Sequence, residues 1–202
     1  MSGAGRGGPP HSDDRPGSGG NRHPSAARVV IPALVLVGLP GVGKSTVGRE
    51  AARRLGWPFL DLDEEIERRE GRSVAELFAE RGEAGFRACE RRLTEELVGR
   101  GRIVLAPGGG WAAQPGLMDL LRPPARIIHL AAGPAAAAAR LGAGRAARPL
   151  LQGEDATARL AALLRQRAAA YARADVVLDT EVIDFDAVVS RVCALAPAPG
   201  AE

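Results

Sequence analysis

The feature that most constrains this chain is a glycine-rich segment that contains its only lysine, at residues 38–45. The residues Gly-Leu-Pro-Gly-Val-Gly-Lys-Ser match the pattern G-x-x-x-x-G-K-[ST]. The apolar run 33–37 before it predicts a buried strand, and residues 45–55 after it predict a helix. A strand, a glycine-rich loop and a helix in this order predict an α/β domain whose loop binds phosphate groups.

Each residue type in this loop has a chemical task. The glycines let backbone N–H groups turn inward around phosphate oxygens, Lys44 would reach the β- and γ-phosphates, and the Ser45 hydroxyl would bind Mg²⁺. The other 26 of the 27 basic residues are all arginine, so a lysine at this one position indicates a specific chemical requirement. We therefore predict a site for ATP and Mg²⁺, with Lys44 partly solvated when no nucleotide is bound. The predicted nucleotide-binding residues of the loop are Gly41, Val42, Gly43, Lys44, Ser45 and Thr46.

The rest of the chain repeats the alternation of strand and helix. Buried apolar strands that alternate with helices predict a parallel sheet covered on both faces. The predicted strands are 33–37, 58–60, 103–106, 126–130 and 176–178. The predicted helices are 45–55, 63–69, 74–81, 83–98, 134–141, 156–172 and 184–194.

Composition divides the chain into one domain and two tails. Residues 1–28 are rich in Gly, Pro, Ser and Arg without apolar periodicity, which predicts a disordered tail, with a transit peptide as the alternative. We expect the folded domain at 29–196, with a mobile lid at about 142–155, and a short C-terminal tail at 197–202.

Charge and cysteine content exclude several classes of protein. Outside the first 28 residues the basic and acidic side chains nearly balance, and aromatic residues make up only 3% of the chain, so we expect no nucleic-acid partner. The longest apolar run, at 29–43, is interrupted by glycine and proline, so we expect no membrane span. The two cysteines, Cys89 and Cys193, predict no disulfide scaffold and favour a reducing, cytoplasmic location.

Several polar features follow the predicted strands or lie on helices. Asp61 and Asp63 end the second strand, where two carboxylates could serve Mg²⁺ and a substrate hydroxyl, although Asp63 could instead cap a helix. Alternation along an extended segment would point both carboxylates the same way. Arg87 and Glu90 share one helix face, as a site or as an ordinary surface ion pair.

Three further features complete the set. Glycines 108–110 follow the third strand and permit either close approach of the backbone to a ligand or a flexible turn. Arg148 lies in the predicted lid, within the sequence Arg-Pro-Leu-Leu. Arg167 lies in an arginine-rich helix, where a solvated face is the ordinary interpretation.

In this order and spacing, the motifs resemble the shikimate kinases, a family of P-loop kinases within the nucleoside-monophosphate-kinase-like superfamily. The resemblance covers residues 34–180. The loop at 38–45 specifies only the superfamily, whereas the later elements are specific to the family. These are the Asp61 to Asp63 stretch, Gly82-Glu83 leading to Arg87 and Glu90, the triple glycine, the Arg148 motif, and Arg167 four residues before Tyr171.

The resemblance implies a three-layer α/β/α fold with a five-stranded parallel sheet, and transfer of the γ-phosphoryl group of ATP to the 3-hydroxyl of shikimate. It implies that Asp63 binds substrate hydroxyls and acts as a base, and that Asp61 supports Mg²⁺ through water. Arg87 and Arg167 would grip the shikimate carboxylate, beside the backbone of Gly109 and Gly110.

The same resemblance implies that the lid residue Arg148 closes over the phosphates, which would make Lys44, Asp63 and Arg148 the catalytic residues. It leaves open whether Arg140 or Arg145 lies against the adenine. Phe185 replaces a proline that the family often has on the other face of the base, although an aromatic residue that begins a helix more often belongs to the core. We expect a cytoplasmic monomer. Gluconate as the acceptor, or nucleotide binding without transfer, are the alternatives.

Overall fold

The computed structural model describes residues 33–141 and 155–196, together with Gly3. Within them, five parallel strands form one sheet in the order β2-β3-β1-β4-β5. The strands are β1 (Ala33–Val37), β2 (Phe59–Asp61), β3 (Ile103–Ala106), β4 (Arg126–Ala131) and β5 (Val176–Asp179). The five predicted strands and the parallel sheet are confirmed. The predictions for 1–28, for the lid at 142–155 and for 197–202 lie almost entirely outside the described residues.

The helices also follow the predicted order. They are α1 (Lys44–Leu55), α2 (Leu62–Glu70), α3 (Val74–Leu97), α4 (Leu117–Leu121), α5 (Pro134–Leu141), α6 (Ala156–Tyr171) and α7 (Phe185–Ala194). The predicted break between residues 81 and 83 is a kink at Gly82, whose φ of 68° is not helical. The sequence did not predict α4 or the 3₁₀ turn Trp111–Ala113, because elements of three to five residues are too short to show a periodic pattern.

The core lies on both sides of the central strand. All five residues of β1 are buried, which requires cover on both faces of the sheet. Helix α1 packs against α7, α5 against α6, and α2 against α3. The Trp111 side chain is fully buried, and its indole N–H donates a 2.9 Å hydrogen bond to the Thr94 hydroxyl.

The topology gathers the polar motifs at one edge of the sheet. Because the strands are parallel, their carboxyl ends lie together, and ligands of open α/β sheets bind at this edge. There β1 leads into the loop at 38–45, β2 ends at Asp61, and β3 leads to Gly108. Among the described residues, no helix is long and apolar enough to cross a membrane.

Candidate active site

The loop after β1 presents its backbone to a phosphate group. Gly43 precedes α1 with a φ of 97°, a conformation that favours glycine, and no side chain caps the first turn of the helix. The N–H groups of that turn therefore remain available to an anion, and the helix dipole favours negative charge there.

The lysine of this loop is held against the loop's own backbone. The Lys44 ammonium group donates hydrogen bonds of 3.1 and 3.0 Å to the carbonyl oxygens of Gly38 and Leu39. The residue is only 8% exposed, so the expectation of a partly solvated lysine is wrong. The two carbonyl groups satisfy the ammonium group in place of water, which lets it stay buried beside the phosphate site.

A hydroxyl and a carboxylate meet beside the same loop. Ser45 Oγ donates a 2.5 Å hydrogen bond to Asp61 Oδ2. Both are hard oxygen ligands, which Mg²⁺ prefers. The described residues contain no cluster of three or more His, Cys, Asp or Glu side chains suited to a metal. Mg²⁺ usually binds through one or two protein oxygens together with water and nucleotide phosphates, and Ser45 and Asp61 provide two such oxygens.

The two aspartates after β2 do not lie on one extended segment. The strand ends at Asp61, whose Oδ1 accepts hydrogen bonds from the backbone N–H groups of Asp63 and Glu64. Asp61 is thus the N-cap of α2, and the alternative that Asp63 caps this helix is wrong. Asp63 lies in the first turn of α2, and both side chains still face the same cavity. The helix starts earlier than predicted because the Asp61 carboxylate satisfies its first N–H groups.

This cavity has a volume of about 780 Å³. All six predicted loop residues, 41–46, line it, together with Asp61, Asp63 and Gly108. Arg140, Leu141 and residues 180–185 also line it. A glycine-rich loop together with a mixed polar and apolar wall provides room for a charged ligand.

Two arginines from different helices reach the glycine turn after β3. The Arg87 side chain is 17% exposed, and a Cβ atom on Gly110 would overlap its guanidinium group. Arg167 is 5% exposed, and its Nη1 lies 3.1 Å from the position of a Cβ on Gly109. Neither arginine lies on a solvated face, so the surface alternatives for both are wrong. The glycines allow this approach because they have no side chains.

A buried tyrosine fixes the glycine turn. The Tyr171 hydroxyl donates a 2.7 Å hydrogen bond to the carbonyl oxygen of Gly109, and burial raises the pKa of this phenol, so it remains a donor. The His129 ring stacks on Tyr171 with 4.6 Å between ring centroids. The backbone of the turn is thereby held firmly beneath the two guanidinium groups.

Glu90 is a charged residue whose burial the sequence did not reveal. It is 0% exposed, and its Oε2 accepts hydrogen bonds of 2.6 Å from Arg87 and 2.7 Å from Gln114. Burial raises the pKa of this carboxyl to about 7, against the opposing effect of Arg87. The spacing of Arg87 and Glu90 predicted the pair, but not the contact of Gln114 with Glu90 or its burial.

The two described candidates for contact with the adenine are Arg140 and Phe185. The Arg140 guanidinium donates two hydrogen bonds of 2.8 Å to Thr180, one to its hydroxyl and one to its carbonyl oxygen. Phe185 is 47% exposed, so the expectation that it belongs to the core is wrong. Both residues line the cavity. Arg145 and the predicted catalytic residue Arg148 lie outside the described residues.

Comparison with known proteins identifies what the chain resembles. The family model described as shikimate kinase matches residues 40–195. A shikimate kinase from Mycobacterium avium is 39% identical over 173 residues, which cover 85% of this chain and 97% of the relative. A shikimate kinase from Halorhodospira halophila is 44% identical over 148 residues, or 73% of this chain and 83% of the relative.

A solved structure is also similar over most of the chain. The structure of shikimate kinase from Acinetobacter baumannii in complex with shikimate has a TM-score of 0.76 and 34% sequence identity. The similarity covers 82% of this chain and 92% of that one. The region that the family model matches includes residues 40–45 of the phosphate loop, both aspartates and both buried arginines.

Proposed function

The chain belongs to the shikimate kinase family, and from this premise we propose which of its residues carry out each part of the reaction. It is an ATP- and Mg²⁺-dependent kinase that transfers the γ-phosphoryl group of ATP to the 3-hydroxyl of shikimate. One observation carries the assignment of residues: a single sheet edge joins a phosphate loop, two carboxylates and two buried guanidinium groups.

At the phosphate end, positioning and charge provide the catalysis. The N–H groups of the loop and of the first turn of α1 bind phosphate oxygens, and Lys44 is placed to offset negative charge on the β- and γ-phosphates. Ser45 and Asp61 would hold Mg²⁺, Asp61 through a water molecule. When bound, Mg²⁺ neutralises charge on the β- and γ-phosphate oxygens. Arg148 is proposed to add a further cation when the lid closes.

Asp63 is the proposed partner of the acceptor hydroxyl. Its carboxylate faces the cavity that the phosphate loop also lines. There it would accept the proton of the 3-hydroxyl. The hydroxyl oxygen forms a bond to the γ-phosphorus, and the bond between the γ-phosphorus and the oxygen that bridges it to the β-phosphate breaks. The Asp63 carboxylate would thus orient the acceptor hydroxyl and accept its proton.

Arg87 and Arg167 are the proposed clamp on the shikimate carboxylate. Two guanidinium groups provide paired, charge-assisted hydrogen bonds, and their burial removes competing water. The turn at Gly109 and Gly110 lies beneath them, so a bound carboxylate would rest against a fixed backbone. Their arrival from α3 and α6 gives the clamp two independent supports, which would fix the position of the acceptor hydroxyl relative to Asp63 and the γ-phosphate.

The alternatives are less favoured. A gluconate kinase also needs a grip on a carboxylate, but the family match and the triple glycine favour shikimate. A silent nucleotide-binding module does not require Lys44, Ser45, Asp61 and Asp63 around one cavity. We further propose a monomer in the cytoplasm, because one chain supplies the whole arrangement and both cysteines, Cys89 and Cys193, are free thiols.

The test is a coupled ADP-release assay with ATP and Mg²⁺ that compares shikimate, quinate and gluconate as acceptors. We expect turnover with shikimate to exceed turnover with the other two by orders of magnitude. Turnover with gluconate and none with shikimate would overturn the substrate assignment. ATP hydrolysis that no acceptor stimulates would instead favour the silent module.

A further inference from the structure

Glu90 is a buried carboxylate that the mechanism above does not use. It has no exposed surface, and its nearest cation is Arg87, whose Nη1 lies 2.6 Å from Glu90 Oε2. Gln114 donates to the same oxygen but carries no charge. The charge of Glu90 is therefore balanced chiefly by the arginine that we assign to the substrate carboxylate.

The second oxygen of Glu90 faces other negative charge. Within the described residues, Glu90 Oε1 has no hydrogen-bond partner. It lies 2.9 Å from the position that a Cβ on Gly108 would take, and Asp63 Oδ1 lies 2.8 Å from the same position. The two carboxylates are therefore neighbours across Gly108, and the Asp63 charge raises the pKa of Glu90.

The other charged and titratable groups nearby do not change this balance. Glu83, one turn earlier on α3, also binds the Arg87 guanidinium, at 2.8 Å, but its side chain is 56% exposed. From α6, Arg167 faces Gly109 and Tyr171 binds the Gly109 carbonyl oxygen. From the phosphate loop, Lys44 binds two backbone carbonyls.

We propose that Glu90 takes up a proton from solvent when a carboxylate substrate binds at Arg87. The inference rests on the proposed function, because it requires Arg87 to bind the shikimate carboxylate. Glu90 does not touch the substrate in this account. It is a positioning residue that holds Arg87 and adjusts the charge of the site.

The physical reason is charge balance at a buried carboxylate. In the free protein, Arg87 offsets part of the Glu90 charge, and the pKa of this carboxyl is already near 7. A substrate carboxylate shares the same guanidinium group and adds negative charge close to Glu90. Both effects disfavour the ionised form of Glu90, so its pKa rises further on binding. Protonation of Glu90 then leaves the substrate carboxylate as the anion that pairs with Arg87.

The first experiment measures protons directly. Shikimate is titrated calorimetrically into the full chain at pH 7.5, in two buffers of different ionisation enthalpy. The wild-type protein is expected to take up a substantial fraction of one proton. Glu90→Gln, which is nearly isosteric, is expected to take up essentially none. Glu83→Gln is the matched control, because it removes the exposed carboxylate bonded to the same arginine, and it is expected to behave as the wild type does.

The second experiment follows affinity against pH, from 7 to 9, where the shikimate carboxylate stays ionised. The wild-type Kd should increase with pH, by up to about tenfold per pH unit, because at most one proton is linked to binding. The Kd of Glu90→Gln should be flat, and at pH 9 this variant should bind at least as tightly as the wild type. A merely structural role of Glu90 would instead weaken binding at every pH.

The outcomes distinguish a failure of the inference about Glu90 from a failure of the proposed function. Binding of shikimate by the wild type without proton uptake, or equal uptake by Glu90→Gln, overturns the inference and leaves the proposed function intact. Failure of the wild-type protein to bind shikimate overturns the proposed function, and this inference with it.

Discussion

The two parts of the proposed active site, a phosphate end and a substrate end, are built in different ways. The phosphate end is one contiguous segment, residues 38–46, in which we propose that backbone N–H groups and a single lysine bind the nucleotide. The substrate end is gathered from Asp63 on α2, Arg87 on α3, Arg167 on α6 and the turn after β3. A contiguous segment carries its chemistry in local sequence, whereas a dispersed site depends on how distant helices pack.

This difference predicts how substitutions at each end affect the reaction. At the phosphate end, glycines press against the fold's backbone, since a Cβ on Gly41 would overlap the carbonyl oxygen of Ala137. At the substrate end, the close neighbours of a Cβ on Gly110 are the guanidinium atoms of Arg87, the end of a side chain that can move. Variants at the phosphate end should therefore affect transfer itself, and variants at the substrate end should affect shikimate affinity.

The largest effect is expected at Lys44. Lys44→Met should lower turnover by at least about a thousandfold, because no other cation of the loop can offset charge on the transferring group. Methionine fills a similar volume, so the fold should persist, but loss of the hydrogen bonds to Gly38 and Leu39 should lower the melting temperature. Steady-state ADP release and thermal unfolding check both statements. Turnover near that of the wild type would remove Lys44 from the mechanism.

The lid arginine should also affect transfer more than binding. Arg148→Ala is expected to lower kcat by about a hundredfold or more, with a smaller change in shikimate affinity, because its charge is needed as the phosphoryl group moves. Initial rates at saturating ATP and varied shikimate separate the two parameters. An increase in KM for shikimate alone would assign Arg148 to the substrate end instead.

The clamp arginines should show the opposite behaviour. Arg87→Lys and Arg167→Lys retain the charge but lose the paired hydrogen bonds, each worth about 1.5–3 kcal/mol when charge-assisted. We expect the Kd for shikimate to increase by about tenfold to a hundredfold. Lysine is chosen over alanine because Arg87→Ala would leave Glu90 buried without its cation.

Arg92→Ala serves as the control for the clamp variants. This arginine lies on the same helix as Arg87 but pairs with Glu70, and its side chain is 62% exposed. Its removal should leave the Kd for shikimate unchanged. Unchanged shikimate binding in both clamp variants would show that the carboxylate is held elsewhere.

A single methyl group should sharpen the comparison. Gly110 has a φ of −91°, which alanine tolerates, but its Cβ would displace the Arg87 guanidinium. Gly110→Ala should therefore raise the KM for shikimate by roughly tenfold, at nearly constant stability and KM for ATP. Gly101→Ala is the matched control, because nothing lies within 4 Å of its Cβ position. Equal kinetics of the two variants would contradict the assigned position of Arg87.

The smallest effect is expected from the N-terminal segment. Deletion of residues 1–28 should leave turnover and melting temperature nearly unchanged, because a segment without apolar periodicity has little to pack against the domain. Activity assays and calorimetry of the shortened chain test this. A large loss in either quantity would mean that the segment docks on the domain.

The same contrast explains what could be predicted from sequence. The phosphate loop and the strands follow from local patterns, since buried strands appear as apolar runs and the loop as fixed spacing. Asp63, Arg87 and Arg167 could be assigned only by resemblance to a family, because Asp63 alone could cap a helix and each arginine alone had an ordinary surface interpretation. The N-cap role of Asp61 was missed, since either aspartate could have begun the helix.

The burial of Glu90 could not be predicted from the sequence for a further reason. It depends on Gln114, on Trp111 in an unpredicted 3₁₀ turn, and on the packing of that turn against α3 through Thr94. A pattern in one helix reports the face that a residue occupies, but not what covers that face. The same limit applied to Arg167, which lies in an arginine-rich helix and is nevertheless buried.

The most direct test of the division between the two ends is a pair of binding titrations on two variants. Lys44→Met is titrated with shikimate in the absence of nucleotide, and Gly110→Ala is titrated with ATP and Mg²⁺ in the absence of shikimate. The account predicts that Lys44→Met binds shikimate, and that Gly110→Ala binds ATP, each with the affinity of the wild type. Loss of shikimate binding in Lys44→Met, or of ATP binding in Gly110→Ala, would contradict it.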